Sequence, residues 1–371
     1  MKIARIQAHH LGPWLYVSVE TDNGIVGVGE AGLWSFPRAA AAVIEDLADL
    51  LAGQDATTPE RIFQRVDRHA HFRGSAVSAA LSGIDIALWD AIGKHFEQPI
   101  YRLWGGPVRE RIRLYAHIAG TTNDELVDSA EQAVREGFTA IRFDPFKNIW
   151  PADGVASIAE HVRTEVGAVR RAVGNDVDIC LECHFKLTPG GVPSVLRAIA
   201  DYRIMFIEDP FPPESFSLLS RSFPTSETPL ATGERLTSLG EFSDLLDACA
   251  VSYIRPDVCV AGGLTQARKI AALAEARGVG VVPHNWLSPV STAASVHLDA
   301  SISNFVIQEY TADDAYPKNL VVPSPVVREG GYLLLPPSPG LGIEVDLRCG
   351  LDPVAARLAT PAMYDGSFAN Y

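Results

Sequence analysis

Three glutamates recur at a constant interval in the middle of the sequence. Glu182, Glu208 and Glu234 stand at positions 182, 208 and 234, so successive members are 26 residues apart. Each ends a short apolar run that predicts a buried strand. Three carboxylates that meet in one place raise one another's pKa unless a cation separates them, and all-oxygen ligands favour Mg²⁺, with Mn²⁺ as the second choice. The spacing therefore predicts a divalent metal site.

Two histidines stand at strand ends in the same region. His284 ends the seventh predicted strand and Asp257 ends the sixth, so the two side chains can pair. A carboxylate on one ring nitrogen fixes the tautomer and raises the basicity of the other nitrogen, which predicts His284 as a general base. His184 lies two residues after Glu182 and therefore on the same face of its strand. A lone histidine at such a place is otherwise typical of a structural side chain.

The elements that must position these residues alternate in type. From about residue 112, short apolar or β-branched runs alternate with amphipathic helices of ten to twenty residues, which is typical of βαβ units. Eight such units predict a (β/α)₈ barrel of the TIM type, whose reactive side chains lie at the carboxyl ends of the strands. The eight predicted strands are Arg113–Ala119, Ala140–Asp144, Asp178–His184, Ile204–Glu208, Leu230–Glu234, Tyr253–Asp257, Gly280–His284 and Asn304–Glu309.

The two ends of the chain do not follow this alternation of strands and helices. Asn23-Gly24 between two alternating runs predicts a β-hairpin, and residues 39–51 and 74–96 have helical spacing, so the first part is an α+β block. The segment 27–32 matches G-x-G-x-x-G, but helical sequence follows it, which favours the end of a hairpin over a dinucleotide site. We expect an α+β capping domain at 1–111, the barrel at 112–320 and a segment at 321–371 that returns to the capping domain.

Charge and composition limit the partners. The 371 residues include 31 Lys and Arg against 45 Asp and Glu, a formal net charge of −14. This balance disfavours nucleic acid and anionic membranes as partners. The start of the sequence has no apolar export signal, and the five cysteines are an odd number in a long chain, so we expect a soluble protein of the cytoplasm.

The joint pattern resembles the mandelate racemase branch of the enolase superfamily. The strand-end residues carry the resemblance, together with four motifs elsewhere in the chain. These motifs are Ala80-Leu81-Ser82-Gly83-Ile84-Asp85-Ile86-Ala87-Leu88-Trp89-Asp90, Phe206-Ile207-Glu208-Asp209-Pro210, Ala231-Thr232-Gly233-Glu234 and Ala261-Gly262-Gly263-Leu264-Thr265.

The resemblance implies a capping domain built from both termini over a modified barrel. It implies Mg²⁺ on Glu182, Glu208 and Glu234, a small carboxylate substrate chelated by that ion, a base that removes the proton beside the carboxylate, and a homo-oligomer.

Departures from the family pattern favour one reaction. Racemases of the family carry Lys-x-Lys at the end of the second strand, and this chain has Arg142-Phe143-Asp144 instead. His184 resembles the general acid of galactonate-type sugar-acid dehydratases. We therefore expect a dehydratase of aldonic or aldaric acids that removes the C2 proton with His284, assisted by Asp257, and protonates the leaving 3-hydroxyl with His184.

Five further residues are candidates for the site. Glu309 either contacts the carboxylate end of the substrate or forms a structural ion pair, and Arg142 either contacts substrate oxygens or neutralises Asp144. Asp144 can alternatively relay a proton. Asn285 and Trp286 are candidate pocket residues. Specificity is expected in the capping loops, residues 14–34 and 69–73.

Two rival functions stay open. A racemase, epimerase or cycloisomerase on the same scaffold would use Asp144 or another group as a second acid or base. A metal-dependent hydrolase would need histidine ligands and a borderline metal such as Zn²⁺, which the three glutamates do not provide.

Overall fold

The computed structural model describes residues 1–147, 154–212, 216–223, 228–248 and 251–354. The first unit is an antiparallel sheet of three strands in the order β1-β2-β3, covered by helices. Its elements are β1 (Ile3–Leu11), β2 (Trp14–Thr21), β3 (Val26–Ala31), α1 (Pro37–Leu51), α2 (Pro59–His69), α3 (Ser75–His95) and α4 (Ile100–Leu103).

The predicted hairpin is the β2–β3 pair. Its turn contains Gly24, which has a φ of +83° and donates its N–H to the carbonyl of Thr21. The sequence pattern does not reveal β1 or α2. Polar side chains on both faces of β1 obscure its alternation, and α2 buries only Pro59, Ile62 and Val66.

The glycine motif of residues 27–32 serves helix packing. A Cβ on Gly27 would lie 2.0 Å from the carbonyl oxygen of Ala87, and one on Gly29 would lie 2.1 Å from that of Gly83. Both carbonyls belong to α3, so these glycines let the helix lie directly on β3. Because β3 pairs antiparallel with β2, the motif has no dinucleotide-binding βαβ context.

Helix α3 is the core helix of this unit. Among the described residues it alone has the length and mean hydropathy of a membrane-spanning helix, and 78% of its most apolar window is buried inside the protein. Asp85 on α3 accepts hydrogen bonds from the N–H and hydroxyl of Thr265, and the Trp89 indole donates to the same hydroxyl at 2.8 Å. The motif at residues 80–90 therefore fastens the capping domain to the barrel.

The second unit alternates strands with helices. Its strands all run parallel and its helices lie between them in the chain. The elements are β4 (Arg111–His117), α5 (Asn123–Arg135), β5 (Ala140–Phe143), α6 (Val155–Val173), β6 (Asp178–Glu182), α7 (Val192–Ile199), β7 (Phe206–Glu208), α8 (Phe216–Ser222), β8 (Leu230–Thr232), α9 (Leu239–Ala248), β9 (Tyr253–Ile254), α10 (Gly263–Glu275), β10 (Gly280–Val281), α11 (Pro289–Asp299) and β11 (Gln308–Tyr310).

The eight strands close into a barrel. Strands β4 to β10 lie side by side in chain order, β11 pairs with β4, and a bridge between Val281 and Phe305 closes the remaining gap. This confirms the predicted modified (β/α)₈ barrel with an α+β capping domain. Most strands end earlier than the sequence pattern predicts, so Asp144, His184, Glu234, Asp257 and His284 lie just beyond their strands. The prediction that His184 shares a strand face with Glu182 is therefore wrong, because β6 ends at Glu182 and His184 has a φ of +42°.

One layer of side chains fills the barrel below the site. Tyr115, Cys180 and Phe206 belong to it, and they are fully buried. The remaining buried members are Ala140, Ala231, Val282 and Ile307. This packing makes the barrel a solid support for the groups at its rim.

The chain after β11 runs back along both units. It contains α12 (Lys318–Val321), β12 (Arg328–Glu329) and β13 (Tyr332–Leu334), and β13 pairs antiparallel with β4. Leu341 donates its N–H to Asp90 of α3, and Val354 donates to the carbonyl of Gly12. Residues 355–371 of the predicted C-terminal segment lie outside the described residues.

Candidate active site

The three predicted metal ligands meet at the rim of the barrel. Glu182 ends β6, Glu208 ends β7 directly opposite it, and Glu234 follows β8. One carboxylate oxygen of each lies within 4.8 Å of those of the other two. A Cβ on Gly233, whose φ is +126°, would lie 2.8 Å from the ring of Phe242, so the residue before Glu234 must be glycine.

Two arginines offset the charge of this carboxylate triad. Arg142 contacts Glu182 and places its Nε 3.4 Å from Glu208, and Arg255 contacts the other oxygen of Glu208. Arg255 also donates to Glu309 at 2.9 Å. Burial, together with the charge of Glu182, raises the pKa of Glu208 to about 7 in spite of the two guanidinium groups.

The donor set fits a hard divalent cation. Magnesium takes oxygen ligands at about 2.0–2.1 Å in octahedral geometry, which puts neighbouring ligand oxygens about 3 Å apart and opposite ones about 4 Å apart. The oxygens of Glu182, Glu208 and Glu234 are already grouped within 4.8 Å. Three ligands on three successive strands leave positions open for other oxygens.

His284 and Asp257 form a buried pair beside the triad. The Nδ1–H of His284 donates to Asp257 at 2.8 Å, and its Nε2 lies 3.6 Å from Glu234. Burial lowers the pKa of His284, but the charges of Glu234 and Asp257 outweigh it and raise the pKa to about 10. Trp34, from the capping domain, stacks parallel to the imidazole with ring centroids 6.2 Å apart.

His184 forms a second pair of the same kind. Its Nδ1–H donates to Asp144 at 2.9 Å, and its backbone N–H donates to Glu182 at 2.6 Å. Burial lowers the pKa of His184, but the charges of Glu182 and Asp144 reverse the shift, so the net pKa is raised. Two imidazole–carboxylate pairs therefore adjoin the triad, one next to Glu182 and one next to Glu234.

A short charge network fills the space between β4 and β11. Nε2 of His117 lies 2.9 Å from a carboxylate oxygen of Glu309, and Arg142 donates to Nδ1 of His117 at 3.2 Å. Burial lowers the pKa of His117. Because a guanidinium group can only donate, Nδ1 is the acceptor nitrogen of this ring. Glu309 also accepts the backbone N–H of Asn285 at 2.8 Å.

A cavity of about 550 Å³ adjoins this network. His117, Trp34 and Trp286 line it together with side chains of the capping domain and of the loop after β11. Trp286 packs edge-on against His117 with centroids 4.9 Å apart, and it is 47% exposed. The capping loop that was expected to carry specificity thus supplies Trp34 to the wall of the site.

The structure brings the sequence-predicted residues together around the triad. Of the two alternatives for Arg142, the ion pair with Asp144 is absent from the contacts of the described residues: Arg142 contacts the triad, and Asp144 contacts His184 and Lys186. The amide nitrogen of Asn285 donates to Thr292 and to a carbonyl, so it is part of the scaffold.

Sequence reasoning missed three groups at this site. Arg255, His117 and Lys186 lie at or just past strand ends, as the predicted residues do. Arg255 stands two residues before Asp257, so the alternation of side chains along the predicted strand could have indicated it. Lys186 lies beyond the end of β6, where this alternation no longer applies.

Comparison with known families agrees with the fold. Residues 2–105 match the mandelate racemase/muconate lactonizing enzyme N-terminal domain, and residues 125–349 match the enolase C-terminal domain-like family. Together these matches cover most of the chain.

Curated relatives and solved structures match over nearly the full length. The D-galactonate dehydratase of Xanthomonas euvesicatoria is 32% identical over 354 residues, which are 93% of this chain and 92% of that protein. The D-galactonate dehydratase of Ralstonia nicotianae is 33% identical over the same shares. An enolase from Agrobacterium radiobacter, described as a candidate galactarate dehydratase and bound to sodium and L-malate, is 30% identical with a TM-score of 0.93 over 100% of both chains.

Proposed function

The chain belongs to the mandelate racemase/muconate lactonizing enzyme family, and from that membership we propose that it is a hydro-lyase that dehydrates aldonic or aldaric acids. The relatives that carry the name D-galactonate dehydratase support this reaction class. The Agrobacterium protein binds L-malate, itself a 2-hydroxy acid, which supports a hydroxylated carboxylate as the substrate. The observation that carries the proposal is the carboxylate triad with an imidazole–carboxylate pair on either flank.

The triad would hold Mg²⁺, or Mn²⁺ in its place. Glu182, Glu208 and Glu234 are the ligands, and Arg142 and Arg255 limit their mutual repulsion. A divalent cation bound there supplies positive charge against the negative charge that develops on the substrate carboxylate when C2 loses its proton.

The two imidazoles divide the proton transfers. His284 takes the proton from C2 through Nε2, because Asp257 already holds Nδ1. A divalent cation on the triad would offset the charge of Glu234, which is the main charge that raises the pKa of His284, and would leave the imidazole free to act as a base. The C2 electron pair then forms a double bond to C3, and the C3–O bond breaks. His184 gives a proton to the departing hydroxyl, which leaves as water, and the resulting enol tautomerises to a 2-keto-3-deoxy acid.

The neighbouring residues support this division. Arg142 links the triad to His117 directly, and Glu309 does so through Arg255. Trp286 forms the wall of the cavity beside that histidine. We assign Arg142 and Trp286 to the substrate-facing surface. Asn285 fixes the loop that carries His284.

A substrate panel tests the proposal. Purified protein is given single aldonic and aldaric acids with Mg²⁺, and the 2-keto-3-deoxy acid is detected by a colour reaction. We expect at least one acid to be dehydrated, and we expect His284→Asn to abolish turnover while Mg²⁺ binding persists. Full activity of the His284→Asn variant would remove that residue from the role of base.

The same panel separates the rival reactions. A racemase or epimerase would exchange the C2 proton with solvent deuterium and release no keto acid, and a cycloisomerase would give an isomer of the substrate. His184→Asn is expected to block elimination and leave C2 exchange in place. Loss of both reactions in His184→Asn would refute the assignment of His184 as an acid separate from the base.

The homo-oligomer and the cytoplasmic location stay predictions. Sedimentation of the purified protein tests the first.

A further inference from the structure

Lys186 is a buried cation next to one of the two imidazole–carboxylate pairs. Its side chain is 9% exposed, its Nζ lies 3.2 Å from Asp144, and it donates to the carbonyl of Phe146 at 3.3 Å. The carboxylate of Asp144 also accepts the Nδ1–H of His184 at 2.9 Å and the N–H of Phe146 at 2.7 Å. Three donors therefore fix this carboxylate in position.

The backbone that carries His184 and Lys186 has an unusual conformation. His184 and Phe185 have φ values of +42° and +61°, a region that side chains other than glycine rarely adopt. The loop is held there by the N–H of Phe185, which donates to the carbonyl of Asp209 at 2.8 Å, and by Arg235, whose guanidinium lies 4.8 Å from the ring of Phe185. This turn brings residues 184 and 186 to the same carboxylate.

The second pair lacks this cation among the contacts of the described residues. Asp257 accepts the Nδ1–H of His284 and the backbone N–H of Cys259 at 2.7 Å.

The contacts of Asp144 also affect its pKa. Burial raises the pKa of Asp144, but the contacts with His184 and Lys186 outweigh it and lower the pKa. Asp144 is thus a carboxylate shared between an imidazole and an ammonium group.

We propose that Lys186 is a positioning residue for the acid step: it holds Asp144 against Nδ1 of His184, so that the imidazole is aimed at the leaving 3-hydroxyl. With Nδ1 bonded to Asp144, the proton for the hydroxyl comes from Nε2 of His184. Lys186 itself does not touch the substrate. This inference rests on the proposed dehydration. It gives Lys186 a role in the elimination of the 3-hydroxyl and none in the removal of the C2 proton.

The test compares elimination with C2 exchange in one reaction. Parent protein and Lys186→Met are incubated in D₂O with Mg²⁺ and the sugar acid identified by the panel, and the keto acid and the C2-deuterated substrate are measured together. Misplacing a catalytic group by about 1 Å costs on the order of 100-fold in rate. We expect elimination to fall about 10- to 100-fold, while C2 exchange and KM change less than about threefold.

Two further variants serve as controls. Lys186→Arg keeps the cation and should recover most of the lost elimination. Lys94→Met removes a lysine with similar partners, since Lys94 donates to Asp90 at 2.6 Å and to the carbonyl of Val26 at 2.8 Å in the capping domain. Lys94→Met should lower stability and leave the ratio of elimination to exchange unchanged.

The outcomes are distinct for the inference and for the proposed function. Three results would overturn the role of Lys186. They are a parallel loss of elimination and C2 exchange in Lys186→Met, an unchanged rate of elimination in Lys186→Met, and the same shift of the elimination-to-exchange ratio in Lys94→Met. A parent protein that makes no keto acid from any panel member would instead overturn the proposed function. In that case a crystal structure of Lys186→Met decides the positioning role, which requires the imidazole of His184 to leave Asp144. If Lys186→Met fails to fold, an unchanged elimination-to-exchange ratio in Lys186→Gln overturns the inference.

Discussion

Replacing Arg255 with Met tests the charge balance of the site. Arg255 is fully buried, and its guanidinium contacts both Glu208 and Glu309. Removing one partner of a buried ion pair costs about 3–5 kcal/mol, because a buried charge is left without compensation.

The structure places the cost of this substitution at the lower end of that range. Glu208 keeps the Nε of Arg142 at 3.4 Å, and Glu309 keeps His117 at 2.9 Å and the N–H of Asn285 at 2.8 Å. We therefore expect a loss of about 3 kcal/mol in the free energy of unfolding, which is roughly a 150-fold change in the folding equilibrium at about 1.4 kcal/mol per tenfold.

Urea unfolding with and without Mg²⁺ provides the assay. Loss of the positive charge next to Glu208 should make the triad bind Mg²⁺ more tightly, so the cation should stabilise Arg255→Met more than the parent protein. Arg277→Met is the matched control, because Arg277 pairs with Asp247 at 2.7 Å on the surface and should contribute about 0–1 kcal/mol.

The reasoning is refuted if Arg255→Met loses no more stability than Arg277→Met. It is also refuted if Mg²⁺ stabilises the parent and the variant equally, because the guanidinium would then have no influence on the triad.

Further predictions concern packing, pH and catalysis. Gly29→Ala puts a Cβ 2.1 Å from a carbonyl oxygen of α3, so it should lower the free energy of unfolding by about 3 kcal/mol or more, as measured by thermal unfolding. Gly190→Ala has open space around its Cβ and should leave the free energy of unfolding nearly unchanged. Equal effects of the two substitutions would contradict the packing argument. Burial raises the pKa of Glu30 to about 8 against the hydrogen bonds from its serine neighbours, so its contribution to stability is present below about pH 4.5 and is lost as the pH rises towards 8. Glu30→Gln should therefore gain stability relative to the parent over that pH interval in unfolding measurements, and a constant difference would show that the carboxyl group does not titrate there. Asp257→Asn should lower the rates of C2 exchange and elimination together by about 10²- to 10⁴-fold, because it removes the group that orients His284; loss of elimination alone in rate measurements would contradict that role.

The sequence is sufficient to predict the barrel and the triad because both follow from regular spacing. Buried parallel strands read as apolar runs, and a carboxylate at the end of each of three successive runs must meet the others when the sheet closes. The pairing of His284 with Asp257 follows from the same rule, since their strands are neighbours.

Other contacts depend on three-dimensional packing that spacing does not encode. Arg142 extends across the rim to Glu182 and Glu208, and its position two residues before Asp144 in the chain does not identify these partners. The stacking of Trp34 on His284 joins two domains across 250 positions of sequence. Lys186 reaches Asp144 because two residues before it adopt positive φ, and nothing in their side chains indicates that conformation.

A crystal structure with Mn²⁺ and a bound sugar acid tests the central claim most directly. The account predicts one anomalous peak held by Glu182, Glu208 and Glu234, with C2 of the ligand facing His284 and its 3-hydroxyl facing His184. A peak held by other residues, or a ligand with C2 turned away from both imidazoles, would contradict it.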